Sequence, residues 1–292
     1  MPCRPALIYN TGHMRLLRKI VAVAAASAAV AACASLAPKP LIDPFPIRFP
    51  LVAAGGLPIE GSVTGQPWAK DGIVYYRTTD GRLTAVVASS QIVLGRSAVD
   101  PADPARSVRT GGLVLRRDAN TLRAFDAQGQ TVWEFKAKGA LSADPVVAGG
   151  RILFGDASRT FYCLSARKGR VKWRRRLQGV PIHPAVAGGG AVAVAASNSV
   201  VYRLSLGGGS ILSWQAVPSR VVYPLAAAGP YVLIASDAAT VTVLDLRTGT
   251  KAEPVEAPGP LVAGAVSSPP YVALFVADEA SGGQEIVFLR SR

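Results

Sequence analysis

The fold is decided by residues 144–173, where Asp144-Pro145-Val146-Val147-Ala148 leads through Gly149-Gly150 to Arg151-Ile152-Leu153-Phe154-Gly155. Then follow Phe161-Tyr162-Cys163-Leu164 and, after Gly169, Arg170-Val171-Lys172-Trp173. Runs of three to six β-formers divided by Gly and Asp turns suit four short strands and leave no room for a helix. The pattern recurs. Its leading apolar residue returns at Ile73, Leu113, Ile152, Val192, Val232 and Val272, and its late turn glycine at Gly129, Gly169, Gly209 and Gly249. Both markers keep a period of about forty residues, a length that signals repeat architectures. A third marker is partial: Trp133 and Trp173 keep the period, Trp214 stands one residue late, and Glu253 replaces the aromatic in the next unit.

Four strands every forty residues predict an all-β chain, a β-propeller of four-stranded blades, in which radial packing leaves only short edges. Six blades fit the markers, with seven as the alternative. The sixth unit holds two apolar runs after residue 270 and ends one strand short. The run Ile47-Arg48-Phe49-Pro50-Leu51-Val52, ahead of the first unit, is expected to supply the missing strand and close the ring. Pro50 suits an outer edge, where a lost N–H breaks no ladder.

Composition agrees with this reading. Of 292 residues, 50% are hydrophobic and 17% charged, which excludes disorder, while 29 Gly and 22 Pro exclude a long helical rod. His13 and His183 are the sole histidines, so imidazole-based metal sites or nucleophile activation have little to draw on.

The N-terminus reads as an export signal over residues 1–32, with Met14 the better start. Arg15, Arg18 and Lys19 precede the apolar run of residues 20–32, about 20 Å as a helix and too short for a ~30 Å hydrocarbon core. Val30-Ala31-Ala32-Cys33 is similar to a bacterial lipobox, which makes Cys33 the lipidation site. A plain secretory signal with an Ala-x-Ala cut is the alternative. Residues 33–46, with Pro38, Pro40, Pro44 and Pro46, form an extended tether, and residues 47–292 form the propeller. Ala34 is not the Asp of an inner-membrane retention signal, so the expected location is the outer membrane, lipid-anchored and facing the periplasm. Four cations and no acid precede Cys33, which leaves +10 of the formal +14 on the chain from Cys33 onward.

The stretch Tyr162-Cys163-Leu164-Ser165-Ala166-Arg167-Lys168-Gly169-Arg170-Val171-Lys172-Trp173 resembles the tryptophan-docking repeat of pyrroloquinoline-quinone-type (PQQ-like) propellers. Ala124-Phe125-Asp126-Ala127-Gln128-Gly129 with Trp133, and Val243-Leu244-Asp245-Leu246-Arg247-Thr248-Gly249, agree in part. The resemblance covers roughly residues 72–249. It implies one of two functions. The quinoprotein dehydrogenases carry a quinone, a calcium ion and usually adjacent cysteines, and no adjacent Cys pair exists here. The outer-membrane protein assembly lipoproteins (BamB-like) use the repeats without a cofactor as a periplasmic docking scaffold. A lipobox with noncatalytic repeats looks like the second branch. The expectation is therefore a nonenzymatic envelope scaffold with no cofactor and no metal, whose partners are envelope proteins, the outer-membrane assembly machinery among them. The alternative is a PQQ-like module binding a small ligand or quinone.

Three groups of residues could be read as sites. Asp80, Asp118, Asp156, Asn198, Asp237 and Asp278 fall in the turns between second and third strands. A carboxylate ring could hold calcium, but Asp and Asn also shape tight turns by bonding their own backbone. Seven of the ten residues from Arg167 to Arg176 are cationic. On a strand of period two, Arg170, Lys172, Arg174 and Arg176 share one face, with Val171 and Trp173 on the other. Together with Arg175 they form either an edge guard against sheet-to-sheet pairing or a contact for an acidic partner. Nucleic acid is not expected after export. Lastly, Cys163, in an apolar strand, reads as a buried structural thiol rather than a nucleophile.

Overall fold

The computed structural model describes residues 47–98, 108–236 and 239–291, which belong to one compact unit, Phe45–Arg292. The expected signal peptide, Cys33 and the tether lie outside the described residues. All regular structure in the described residues is β. Six four-stranded antiparallel sheets form the blades. The closing strand β1 (Leu51–Ile59) precedes blade 1, which comprises β2 (Val63–Lys70), β3 (Ile73–Thr78), β4 (Arg82–Val87) and β5 (Ile92–Ala98). Blade 2 comprises β6 (Val108–Thr110), β7 (Leu113–Asp118), β8 (Thr121–Phe125) and β9 (Thr131–Lys136). Blade 3 follows with β10 (Val146–Ala148), β11 (Arg151–Gly155), β12 (Thr160–Ser165) and β13 (Val171–Arg176). Blade 4 has β14 (Val186–Gly188), β15 (Ala191–Ala196), β16 (Val200–Ser205) and β17 (Ile211–Ala216). Blade 5 has β18 (Ala226–Ala228), β19 (Tyr231–Ala235), β20 (Thr240–Asp245) and the two-residue β21 (Val255–Glu256). Blade 6 has β22 (Leu261–Ser268), β23 (Tyr271–Asp278) and β24 (Gly283–Ser291).

The first strands of neighbouring blades touch one another, β6 with β10, β10 with β14, β18 with β22 and β22 with β2, which makes them the inner strands. Several are short and built from Ala, Gly and Val. The second and third strands are sandwiched between blades and lose the polar face that a one-sided sheet keeps: all six residues of β15 (AVAVAA) are buried. Alternation sends successive side chains to opposite neighbours. Ile152, Phe154, Tyr162 and Leu164 pack with Leu122, Ala124 and Trp133 of blade 2, whereas Leu153, Phe161, Cys163 and Trp173 pack with Val192, Val194, Tyr202 and Leu204 of blade 4. The hydrophobic core is thus a set of seams between blades. Each fully buried large aliphatic side chain in a seam stabilises the fold by about 1.5–3 kcal/mol.

Blade 6 takes its fourth, outer strand from the start of the domain, since β1 pairs antiparallel with β24 from Leu51 opposite Ser291 to Ile59 opposite Gln284. The strand lies later than the run expected to supply it. Of residues 47–52, only Leu51 and Val52 are in β1. Ile47 is instead buried among apolar residues of blades 5 and 6, and the Phe49 ring meets Tyr231 edge-on at 4.8 Å. Pro50 stands before the strand, and Pro58 within it opposes Glu285. A register shift between Ala53 and Gly55, where Gly55 has φ +145°, admits the irregular Ala-Gly-Gly sequence to the sheet.

Candidate functional site

Two outer strands in adjoining blades stand out, the basic β13 and the uncharged β17. Their geometry follows from how each blade locks onto the next. The Trp133 indole N–H donates to the Ala166 carbonyl oxygen at 3.0 Å, and Trp173, forty residues on, donates to the Leu206 carbonyl at the same distance. Each ring lies flat on the next blade's turn glycine. A Cβ at Gly169 would sit 2.6 Å from the Trp133 ring, and one at Gly209 would sit 2.4 Å from Trp173, with both glycines at positive φ. Only glycine meets both demands, which is why the turn glycine keeps the period of the tryptophan.

The lock changes between blades 4 and 5. Ser213 occupies the tryptophan position opposite Arg203, and its hydroxyl lies where the ring would be, 2.7 Å from a Cβ placed on Gly249. The Arg203 guanidinium takes over the indole's role, with Nε donating to the Leu246 carbonyl at 2.7 Å and Nη2 to the Arg247 carbonyl. Trp214, displaced by one residue, is therefore 64% exposed, against 8% for Trp173. The broken period of Trp214 was the sequence signal for this change; nothing in the pattern pointed to Arg203.

On β13, a register shift between Cys163 and Leu164 pairs Cys163 with Trp173 and Leu164 with Val171, skipping Lys172. This bulge corrects the expected alternation: Val171 does not share the buried face of Trp173 but is exposed. Arg170, Lys172, Arg174 and Arg176 are exposed as well. Arg175 differs from the other cations. It points the same way as Trp173, is half-buried, and donates from Nε to the Gly209 carbonyl at 2.7 Å, so it belongs to the blade lock and not to a free contact surface. Among the described residues, no acid forms an ion pair with Arg170, Lys172, Arg174 or Arg176. On β9 of blade 2, by contrast, Glu134 accepts a bond from the Arg123 Nε at 2.7 Å.

Three of the turn carboxylates, Asp80, Asp156 and Asp278, are bonded within their own turns. Asp156 is fully buried; its Oδ1 accepts from the Ser158 and Thr160 amides and the Ser158 hydroxyl, and its Oδ2 from the Gly139 amide and the Tyr162 hydroxyl. Asp80 accepts from the Thr78 hydroxyl, which lowers its pKa, and Asp278 from the Ser281 hydroxyl with the same effect. Asp118 pairs with Arg123, and the Asn198 amide donates to the Tyr202 hydroxyl. Asp237 lies outside the described residues. Among the described residues, no three His, Cys, Asp or Glu side chains come together as a metal site. Burial pushes the Cys163 thiol up to about 11, against a smaller opposing pull from Arg151 and Lys172, so its thiolate is scarce at neutral pH. Burial lowers the pKa of His183, whose Nε2 lies 3.3 Å from the Val221 carbonyl and must carry the proton of that bond.

Residues 118–210, running from the end of β7 in blade 2 through the third strand of blade 4 and including both docked tryptophans, match a family model described as outer membrane protein assembly factor BamB. No curated protein sequence matches the chain. Among solved structures, the computationally designed Ika8 protein is 15% identical, with a TM-score of 0.53 over 78% of this chain and 70% of the other. BamB from Moraxella catarrhalis is 16% identical, with a TM-score of 0.48 over 79% of this chain and 86% of the other. By its sheet topology the domain is a six-bladed β-propeller, and residues 118–210 are similar to the family described as outer membrane protein assembly factor BamB.

Proposed function

We propose that the protein is a noncatalytic scaffold of the cell envelope, held to the outer membrane through a lipid on Cys33, which binds protein partners in outer-membrane protein assembly. The observation that carries the reading is β13. Among the described residues it is the outermost strand of its blade, with an unpaired main-chain edge, and Lys172, Arg174 and Arg176 stand exposed on it without acidic partners. Unpaired cations on a rigid strand attract acidic segments and steer their approach. The family match over residues 118–210 adds support, because it covers this strand and carries a description that names outer membrane protein assembly. Asp80, Asp156 and Asp278 accept hydrogen bonds that shape their own turns, which is consistent with a binding role.

The test is affinity capture from envelope extract with the wild-type protein and with Lys172→Glu, Arg174→Glu and Arg176→Glu combined. Arg175 is left in place because it holds the next blade. The reading predicts that envelope partners captured by the wild type are lost from the charge-reversed protein while its circular dichroism is unchanged. Equal capture by both proteins would reduce the basic strand to an edge guard. Mass spectrometry of the N-terminal peptide tests the anchor separately: acyl chains on Cys33 are expected, and an unmodified Cys33 refutes it.

A further inference from the structure

We propose that β17 is a strand-addition site, at which an extended acidic and apolar peptide segment of a partner joins blade 4 as a fifth strand. This rests on the scaffold reading and gives it a second, distinct contact. The first observation is a comparison of the six outer strands. Sheet edges carry open N–H and C=O groups, and proteins protect them with charge, proline, bulges or brevity. β5 has Gly95 and Arg96, β9 has Glu134 and Lys136, β13 has its cations, β21 is two residues long and follows Pro254, and β1 contains Pro58 and a register shift. β17 reads Ile-Leu-Ser-Trp-Gln-Ala, with no charge, no glycine and no proline. It shares one bulge with β5, β9 and β13, but it is the outer strand on which no charge, glycine or proline accompanies it.

A second observation concerns Trp214. Arg203 and Ser213 have taken the tryptophan's place in the blade lock, so Trp214 serves no packing seam, yet it stands exposed beside exposed Leu212 and Ile211. The pairing of Tyr202 with Trp214 and Val200 with Ala216 puts Trp214 and Ala216 on one face, with the bulged Leu212 before them. A peptide laid along the edge would bond to the open backbone and place alternate apolar side chains over this face, the mode in which main-chain bonds give affinity and side-chain contacts give selectivity.

Charge selects the occupant. The chain carries +10 from Cys33 onward, and β13 in the adjoining blade is tied to the turn that opens β17 through the bond from Arg175 to Gly209. A second copy of this chain would bring the same positive charge to the contact. A peptide with carboxylates flanking its apolar residues meets attraction instead.

The probe is a fluorescein-labelled, end-capped peptide, Asp-Val-Thr-Val-Thr-Val-Asp, titrated by anisotropy against the wild-type protein, with a Lys-ended version and a version N-methylated at alternate amides as controls. Leu212→Lys with Trp214→Lys installs an edge guard on two exposed side chains. A urea midpoint equal to the wild type's checks that it folds. The proposal predicts that the acidic peptide binds the wild type, that the Lys-ended and N-methylated peptides do not, and that the double variant binds at least about tenfold more weakly, or about 1.4 kcal/mol, despite its two added positive charges. Undiminished binding by the double variant overturns the proposal, as does no binding to the wild type. Binding lost only on charge reversal of β13 also overturns it and leaves the scaffold reading standing. Wild-type self-association abolished by the double variant would assign the edge to a second copy and overturn it too.

Discussion

Replacing Trp173 with alanine should cost the domain far more than replacing Trp214, although the two differ by only one residue from the repeat period. Trp173 is 8% exposed, its ring covers Gly209 and lies 6.1 Å from the Phe161 ring, and its N–H satisfies the Leu206 carbonyl. Truncating a buried tryptophan costs about 3–5 kcal/mol, and the carbonyl left without a donor belongs to the upper part of that range. Trp214 is 64% exposed and its contribution to packing is taken by Arg203 and Ser213, so Trp214→Ala should change stability by no more than about 0.5 kcal/mol. In urea, with an m-value of about 3 kcal/mol/M, the Trp173→Ala midpoint should fall by roughly 1–1.5 M while that of Trp214→Ala stays put. Far-UV circular dichroism is the readout, since it does not depend on the residue removed. Equal losses in the two variants, or a loss below about 1 kcal/mol for Trp173→Ala, would refute the assignment of one tryptophan to the lock and the other to the surface.

Asp156→Ala should destabilise the domain by about 3 kcal/mol or more, because several buried amide and hydroxyl donors lose their shared acceptor, and added calcium should not stabilise the wild type; a thermal shift with calcium would return Asp156 to the ranks of metal ligands. Native Cys163 should resist alkylation by iodoacetamide at pH 8 and react once the protein is unfolded in urea, since burial holds its pKa near 11; fast native labelling would contradict that placement. For His183, burial lowers the folded pKa beneath the unfolded value near 6.5, so the unfolded chain binds the extra proton first and stability falls as pH drops below about 6.5. His183→Gln should flatten that part of the stability profile, and an unchanged slope would place its origin elsewhere.

The blade repeat was legible because each unit repeats both its turn glycine and its apolar strand starts. The glycine is fixed by a tryptophan from the preceding blade, so sequence period and three-dimensional contact are the same fact at Gly169 and Gly209. Legibility failed where backbone pairing replaced side-chain pattern. Ala53-Ala54-Gly55-Gly56-Leu57-Pro58 has no β signature, yet it forms most of β1, because main-chain bonds to β24 and one register shift suffice. The bulge at Lys172 likewise has no residue signature, which is why Val171 was expected beside Trp173 and is exposed instead. Of the basic cluster, the cationic character was plain in the sequence. The separate role of Arg175 was not, since its partner is a carbonyl thirty-four residues away in another blade. Arg203 was hidden for the same reason: an arginine that replaces an indole keeps the donor and discards the pattern.

The central claim, that partners bind at the outer rim of the propeller, is tested most directly by hydrogen exchange on the domain with and without a partner captured from envelope extract. The account predicts that partner-dependent protection falls on the outer strands, residues 170–176 and 211–216, with the inner strands β10, β14 and β18 unchanged. Protection concentrated on the inner strands and absent from the rim would contradict it and point to a ligand in the centre of the ring.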